Sequence, residues 1–294
     1  MSLPSVQETR QRIEAIPNLD IKRMVQTILL FGLRVGEACG LAYESDFKAQ
    51  PTGALLWASQ SSWSPDETND EELAILKRII MRNTGKIPTE MDLIQIQEPA
   101  FVLSIITEKR TGFNRKAAIP LNPVFEPWSK EVFQYIRKRQ DKGPLPIIQE
   151  LALENNTSLI EFARNNLDVI NKIIKNNPPV FPYYRQKIYR ATRKAFEGLT
   201  YPIVNYKRRT EVDEGKIIYE IIYEHQKRCS DHFLRHLRAT ELKSRFRIKG
   251  EILDTFMGWA KPRGGDVSAM QERYVTEPWR EAGYFPRLLK KRRF

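Results

Sequence analysis

The stretch from residue 19 to residue 41 constrains this chain more than any other. Ile21, Met24, Val25, Ile28 and Leu29 recur at the 3.6-residue period of a helix buried along one face. Gly32 then interrupts the run, and VGEACGL resumes with helix formers. The spacing predicts helix, tight break, helix, and puts Arg34 at a helix end or just past a bend.

The rest of the pattern is mixed. Residues 48–70 hold Pro51, Gly53, Pro65 and several serines, and read as a loop-rich insertion. Residues 71–82 read as a short amphipathic helix. FVLSIIT at 101–107 and KAAIPL from Lys116, with TGFN between them, predict a β-hairpin. Ser158 and Glu161 make an S-x-x-E capping box that opens a helix with Ile160, Leu167, Ile170 and Ile174 on its apolar face. Pro178 and Pro179 forbid its continuation. A basic helix over 184–199, a second hairpin over 201–224 turning at Asp-Glu-Gly, a helix over 231–247 capped by Ser230, and a helix from 250 follow. No internal repeat is visible. The expected fold class is one domain, mainly α, with a small antiparallel β-hairpin sheet.

Among the 294 residues, 48 Lys+Arg exceed 36 Asp+Glu, a formal charge of +12. That excess favours polyanionic partners. No run approaches the roughly 18 consecutive apolar residues of a bilayer span, and the N-terminal MSLPSVQETR lacks the apolar run of a signal peptide. Cys39 and Cys229 cannot build a disulfide framework. These features lead us to expect a cytoplasmic protein with no membrane partner.

Few residues offer metal or nucleotide chemistry. His232 and His236 stand four apart, but Phe233 occupies the place of the zincin glutamate. Glu108 and Lys109 are adjacent, whereas a nuclease of the E-x-K type needs one residue between them to share a strand face. Neither G-x-x-x-x-G-K-[ST] nor G-x-G-x-x-G occurs, so no cofactor is expected. The arginines are more informative. Arg235 lies one helical turn after His232 on the same face. Together with Arg34 it would suit a phosphate, whose transition state spreads charge over oxygens that guanidinium pairs with two parallel hydrogen bonds.

At this point the chain resembles the tyrosine recombinases and phage-type integrases, as found on archaeal or viral elements. LLFGLRVGEACGL looks like the first box of that family at Gly32, Leu33, Arg34, Glu37 and Leu41. DHFLRHLRATEL resembles its H-x-L-R-H-x-x-A-T-x-L box at His232, Leu234, Arg235, His236, Ala239, Thr240 and Leu242. FMGWAKPRGGDVSAMQERYV resembles the closing box and would supply Gly258, Trp259 and Tyr274, and TEKRTGFNRKAAIPL looks like the lysine hairpin between the first two boxes. Against the family pattern, the chain is enlarged over about 48–100 and 140–200, a C-terminal docking tail covers about 276–294, and no separate DNA-clamping domain precedes Arg34.

The resemblance implies a tyrosine recombinase catalytic-domain fold over 1–294. It also implies site-specific cleavage and rejoining of double-stranded DNA through a 3′-phosphotyrosyl intermediate, without metal or nucleotide, by a homo-oligomer of two to four subunits on DNA. Tyr274 would be the nucleophile, with Tyr284 the other candidate, and His232 its base. Arg34 and Arg235 would clamp the scissile phosphate, with Trp259 packing on it or donating its indole N–H. Lys109, or in its place Lys116, would protonate the leaving 5′-oxygen. Glu37 would brace the arginine helix. Arg185, Lys187, Lys207, Arg208, Arg209, Lys290 and Lys291 would meet the DNA backbone. The alternatives are a type IB topoisomerase-like or telomere-resolving enzyme, and a DNA-binding module that kept the fold without the activity.

Overall fold

The computed structural model describes residues 3–41, 52–61, 100–106, 114–121, 123, 126–210, 217–245 and 250–259. The expected helix at 71–82, the turn at 213–215, Lys109, Tyr274, Tyr284, Lys290 and Lys291 lie outside them. The described chain is predominantly helical, with two small antiparallel sheets. No helix among the described residues is long and apolar enough to cross a membrane.

Helix α1 (Val6–Glu14) opens at Ser5, whose Oγ accepts from the Glu8 N–H at 3.0 Å. Helix α2 (Leu19–Phe31) opens at Asn18, whose side-chain oxygen accepts from the Ile21 N–H at 2.9 Å. The expected apolar stripe of α2 is buried, with Met24, Val25 and Ile28 fully so. The helix ends where Gly32 turns left-handed at φ 57° and ψ 38°, and the Leu33 N–H returns to the Ile28 carbonyl at 3.0 Å. The one-turn helix α3 (Val35–Ala38) follows, so the predicted helix, break, helix is present.

Strands β1 (Trp57–Ser61), β2 (Ala100–Ile106) and β3 (Asn114–Pro120) form an antiparallel sheet in that order. The β2–β3 pairing is the predicted hairpin, with Ile106 opposite Asn114. Strand β1 corrects the loop reading of 48–70. A 3₁₀ turn at Thr52–Leu55 leads into it, and Leu55, Leu56 and Ala58 are buried. Helix α4 (Ser129–Gln140) supplies the reason. Buried Gln140 accepts from the Ala58 N–H at 2.9 Å and donates to the Ala58 carbonyl at 3.0 Å, taking the place of a neighbouring strand on the outer side of β1. Gln140→Leu keeps the volume, leaves the Ala58 N–H unpaired and leaves its carbonyl only the longer contact from Arg137 Nη1 at 3.4 Å. It is expected to cost about 2–4 kcal/mol, read as a fall in the chemical-denaturation midpoint at constant slope.

Helices α5 (Pro144–Glu154), α6 (Leu159–Asn165) and α7 (Leu167–Asn176) pack with the 3₁₀ turn around a second, smaller core that includes Leu145, Ile148, Phe162 and Ile170. The capping serine is present, with Ser158 Oγ accepting from the Glu161 N–H at 3.2 Å. The single long helix expected there is instead two. Asn166 leaves the helical region at φ −127° and ψ 44°, its side chain donates to the Phe162 carbonyl at 3.0 Å, and its own carbonyl accepts from the Ile170 N–H at 3.0 Å. It closes one helix and opens the next because its amide competes for backbone partners.

Helix α8 (Arg185–Ala195) is shorter than the predicted 184–199, and Ile188 and Phe196 join the main core. Strands β4 (Thr200–Thr210) and β5 (Ile217–Arg228) form the second hairpin, longer at its open end than predicted. Helix α9 (Asp231–Thr240) follows Ser230, whose side chain makes no capping bond. The predicted helix to 247 gives way at Glu241–Arg245 to a π-helical turn, where Glu241 turns inward to a buried partner. Helix α10 (Gly250–Met257) closes the described chain. The main core joins α1, α2, the first sheet, α4, α8, α9 and α10.

Candidate active site

The left-handed turn at Gly32 delivers Arg34 to the N-cap of α3 in extended backbone, φ −73° and ψ 150°. Buried Glu37, three residues on, accepts from the Arg34 N–H at 2.9 Å through Oε2 and from its guanidinium Nη1 at 2.8 Å through Oε1. One carboxylate thus fixes both ends of Arg34. The Arg34 side chain keeps 12% of its surface exposed, and other described residues do not engage its Nε and Nη2 donors.

Arg235 reaches the same carboxylate from α9, its Nη1 lying 3.9 Å from Glu37 Oε2. Its guanidinium is fully buried and donates to the carbonyls of Gly32 and Met257. Those carbonyls close α2 and α10, so a cation there meets the negative ends of two helices. As placed, Arg235 braces two helix termini and faces Trp259, whose ring centroid lies 5.6 Å from the guanidinium carbon. Trp259 is 3% exposed and is held by its backbone N–H, which donates to the Asp254 carbonyl at 2.8 Å.

His232 is half-buried one turn before Arg235, with its ring 5.6 Å from that of buried His236. His236 packs in turn on Tyr201 at 5.3 Å. Beside His232, burial raises the Asp231 carboxyl above its ordinary value against the opposing pull of Arg185 and Lys227. The structure therefore brings Arg34, Glu37, His232, Arg235 and Trp259 into one region. Lys116 is exposed on β3, opposite Ser104. Lys187 Nζ lies 4.5 Å from the Tyr183 ring centroid. Lys207, Arg208 and Arg209 lie on β4.

Four other nucleophile candidates, Cys229, Tyr135, Tyr183 and Tyr201, are poorly prepared. Burial pushes the Cys229 thiol up to about 12, and burial with the Asp20 carboxylate raises the Tyr135 and Tyr183 phenols above their ordinary value. Tyr201 is fully buried.

Sequence reasoning missed the charge network under this site. Arg238, 1% exposed, donates to Glu126 at 2.8 Å and to Glu241 at 2.7 Å, and Arg10 approaches Glu126 at 3.4 Å. The Arg238–Glu241 pair has i,i+3 spacing and could have been read from the sequence. Glu126 lies 112 residues from Arg238, in a segment with no periodic signal. Burial raises the Glu126 carboxyl in spite of Arg238, while the two carboxylates hold the Arg238 guanidinium charged.

Comparison with models of known families, with curated proteins and with solved structures found no match.

Proposed function

We propose that this chain cuts and rejoins duplex DNA through a 3′-phosphotyrosyl intermediate, on a catalytic domain of tyrosine recombinase fold. One observation carries the reading. Three stretches that resemble recombinase boxes meet around the Arg235 guanidinium, although 203 residues separate Gly32 from Arg235. A local motif match would not require that meeting.

In this reaction Arg34, held by Glu37, presents its outer donors to the non-bridging oxygens of the phosphate. Arg235 exchanges its carbonyl partners for phosphate oxygens, which are stronger, charged acceptors. The Tyr274 hydroxyl attacks phosphorus and gives its proton to His232. The bond to the 5′-oxygen breaks as Lys109, or Lys116 in its place, supplies a proton. Trp259 stacks on the Arg235 guanidinium and limits water at that edge. Rejoining reverses these steps, and the tyrosyl ester conserves the phosphodiester energy. Arg185, Lys187, Lys207, Arg208, Arg209, Lys290 and Lys291 serve the DNA backbone. Subunits assemble on DNA as dimers or tetramers.

The test is covalent trapping. The full chain is incubated with nicked duplexes from its own genomic neighbourhood, and denaturant-stable protein–DNA adducts are sought. Tyr274→Phe removes one hydroxyl, so folding and DNA affinity should survive while adducts vanish. Adducts that persist in Tyr274→Phe, or that map to a peptide containing Tyr284, would overturn the assignment of Tyr274. Absence of adducts from the parent protein would overturn the enzyme reading.

Arg34→Lys supplies a second expectation. A point ammonium cannot hold Glu37 and a phosphate with one planar fork, so trapping should slow by about 100-fold or more, nearly as far as in Arg34→Ala. DNA binding measured by fluorescence anisotropy should persist in both. A parental trapping rate in Arg34→Lys would remove this residue from the phosphate clamp.

A further inference from the structure

Helix α8 turns one side inward through Ile188, Thr192 and its C-cap residue Phe196, all fully buried. That spacing fixes the rotation of the helix and sends Arg190 and Lys194 to the side away from the core, where both are exposed. The helix holds five Lys and Arg among its 11 residues and no Asp or Glu. Lys187 with Arg190 and Arg190 with Lys194 stand three and four residues apart, where like charges cost a helix stability. A polyanion laid along this ridge would remove that cost.

Aromatic exposure falls in the same place. Tyr201 is fully buried and Tyr183 is 8% exposed. By contrast Tyr184, the N-cap of α8, and Tyr189 keep 43% and 46% of their surface exposed, and among the described residues they are the only aromatics so exposed. At about 100° per residue the two fall on opposite flanks of the basic ridge. Arg193, one turn after Tyr189, brings its guanidinium carbon to 5.8 Å from that ring's centroid.

We propose that the outer face of α8 binds an unpaired nucleic-acid strand, with Arg190 and Lys194 on its phosphates and Tyr184 and Tyr189 stacked on its bases. Charge complementarity selects a polyanion, and the exposed rings select among polyanions. In a duplex each base face is covered by its neighbours, so a tyrosine ring has nothing to stack on. An unpaired base offers that face, and rings set among cations are how proteins hold single strands without regard to sequence. The ligand therefore differs from the duplex of the reaction proposed above, and the site does not depend on that reaction.

The experiment titrates the full chain into a fluorescein-labelled oligothymidylate, which has no paired form, and separately into a labelled duplex. Anisotropy should show the parent protein binding the oligothymidylate in the micromolar range or tighter. Tyr184→Ala with Tyr189→Ala is expected to raise the dissociation constant for the oligothymidylate by about 30-fold, and that for the duplex by less than about threefold. Tyr184→Phe with Tyr189→Phe keeps both rings and should stay within about threefold of the parent for both ligands. Arg190→Glu with Lys194→Glu should weaken the oligothymidylate by about tenfold or more and flatten its salt dependence. The duplex serves as the folding control for the alanine pair, and the phenylalanine pair separates ring stacking from loss of the hydroxyls. A parent protein that does not bind the oligothymidylate, an alanine pair that weakens duplex as much as single strand or neither, a phenylalanine pair that fails to hold the single strand, or a charge-reversed pair that binds it as the parent does would each overturn the proposal. Covalent trapping reads the strand-cutting proposal separately, and its failure would leave this site standing.

Discussion

Arg238→Met should lower folding stability by about 3–5 kcal/mol at neutral pH, the range found when one partner of a buried ion pair is removed. The Met side chain keeps most of the apolar stem, so the loss is one of charge. Without the guanidinium, Glu126 and Glu241 are left beside each other in the interior, both within 2.8 Å of the missing group and both buried. Arg10 can answer only part of that charge, from 3.4 Å at Glu126.

The pH dependence has a definite sign. The Glu126 carboxyl already stands above its ordinary 4.5 because of burial, and removing Arg238 raises it further. A carboxyl whose value is raised in the fold binds more protons folded than unfolded. The contribution of Glu126 to stability is therefore greatest below its ordinary value of 4.5 and is lost as pH rises through the folded value. The deficit of Arg238→Met should be largest at neutral pH and shrink on acidification. Adding Glu126→Gln to Arg238→Met should recover part of the loss at neutral pH, since a neutral amide costs less to bury than an unpaired carboxylate. Urea unfolding of the three proteins across pH measures all of this. A pH-independent loss would show that Arg238 acts through packing and not through charge.

Gly32→Ala is expected to cost about 2–4 kcal/mol, from two separate sources. The residue sits at φ 57°, where a side chain strains the backbone. A Cβ there would also lie 2.7 Å from Met257 Sδ and 2.8 Å from its Cε. Met257 is itself fully buried, so its thioether must shift within the core. Replacing Met257 by Val in the same chain removes the collision and leaves the backbone strain, which separates the two sources. Activity should suffer beyond stability, because the Gly32 carbonyl holds Arg235 and the following residues carry Arg34. Trapping rates below the melting transition should fall by about tenfold or more, as expected when a small displacement spoils catalytic positioning. A stable Gly32→Ala protein with parental trapping would mean that this turn does not position the arginines.

Much of this architecture is legible along the chain because its causes are local. The apolar period of α2, the glycine that ends it, the serine at 158 and the β2–β3 pairing each depend on neighbours a few residues away. The spacing of Arg34 with Glu37, and of His232 with Arg235, is local in the same sense. Where reading failed, the cause lay far off in sequence or in a side-chain bond to the local backbone. Strand β1 looked like a loop because its outer side is completed by Gln140, 82 residues later, and not by a pattern of its own. The helix after Ser158 broke because the Asn166 amide took a backbone partner that a hydrophobic period cannot register. Residues near one another in sequence thus dictated where helices begin, bend and stop, and which side chains each helix presents. The union of Arg34 and Arg235 at Glu37, the Arg235 brace across two helix ends and the burial of Glu126 against Arg238 came only with packing. Their energies depend on desolvation and on hydrogen bonds between segments up to 203 residues apart, and those terms exist only when the chain is folded.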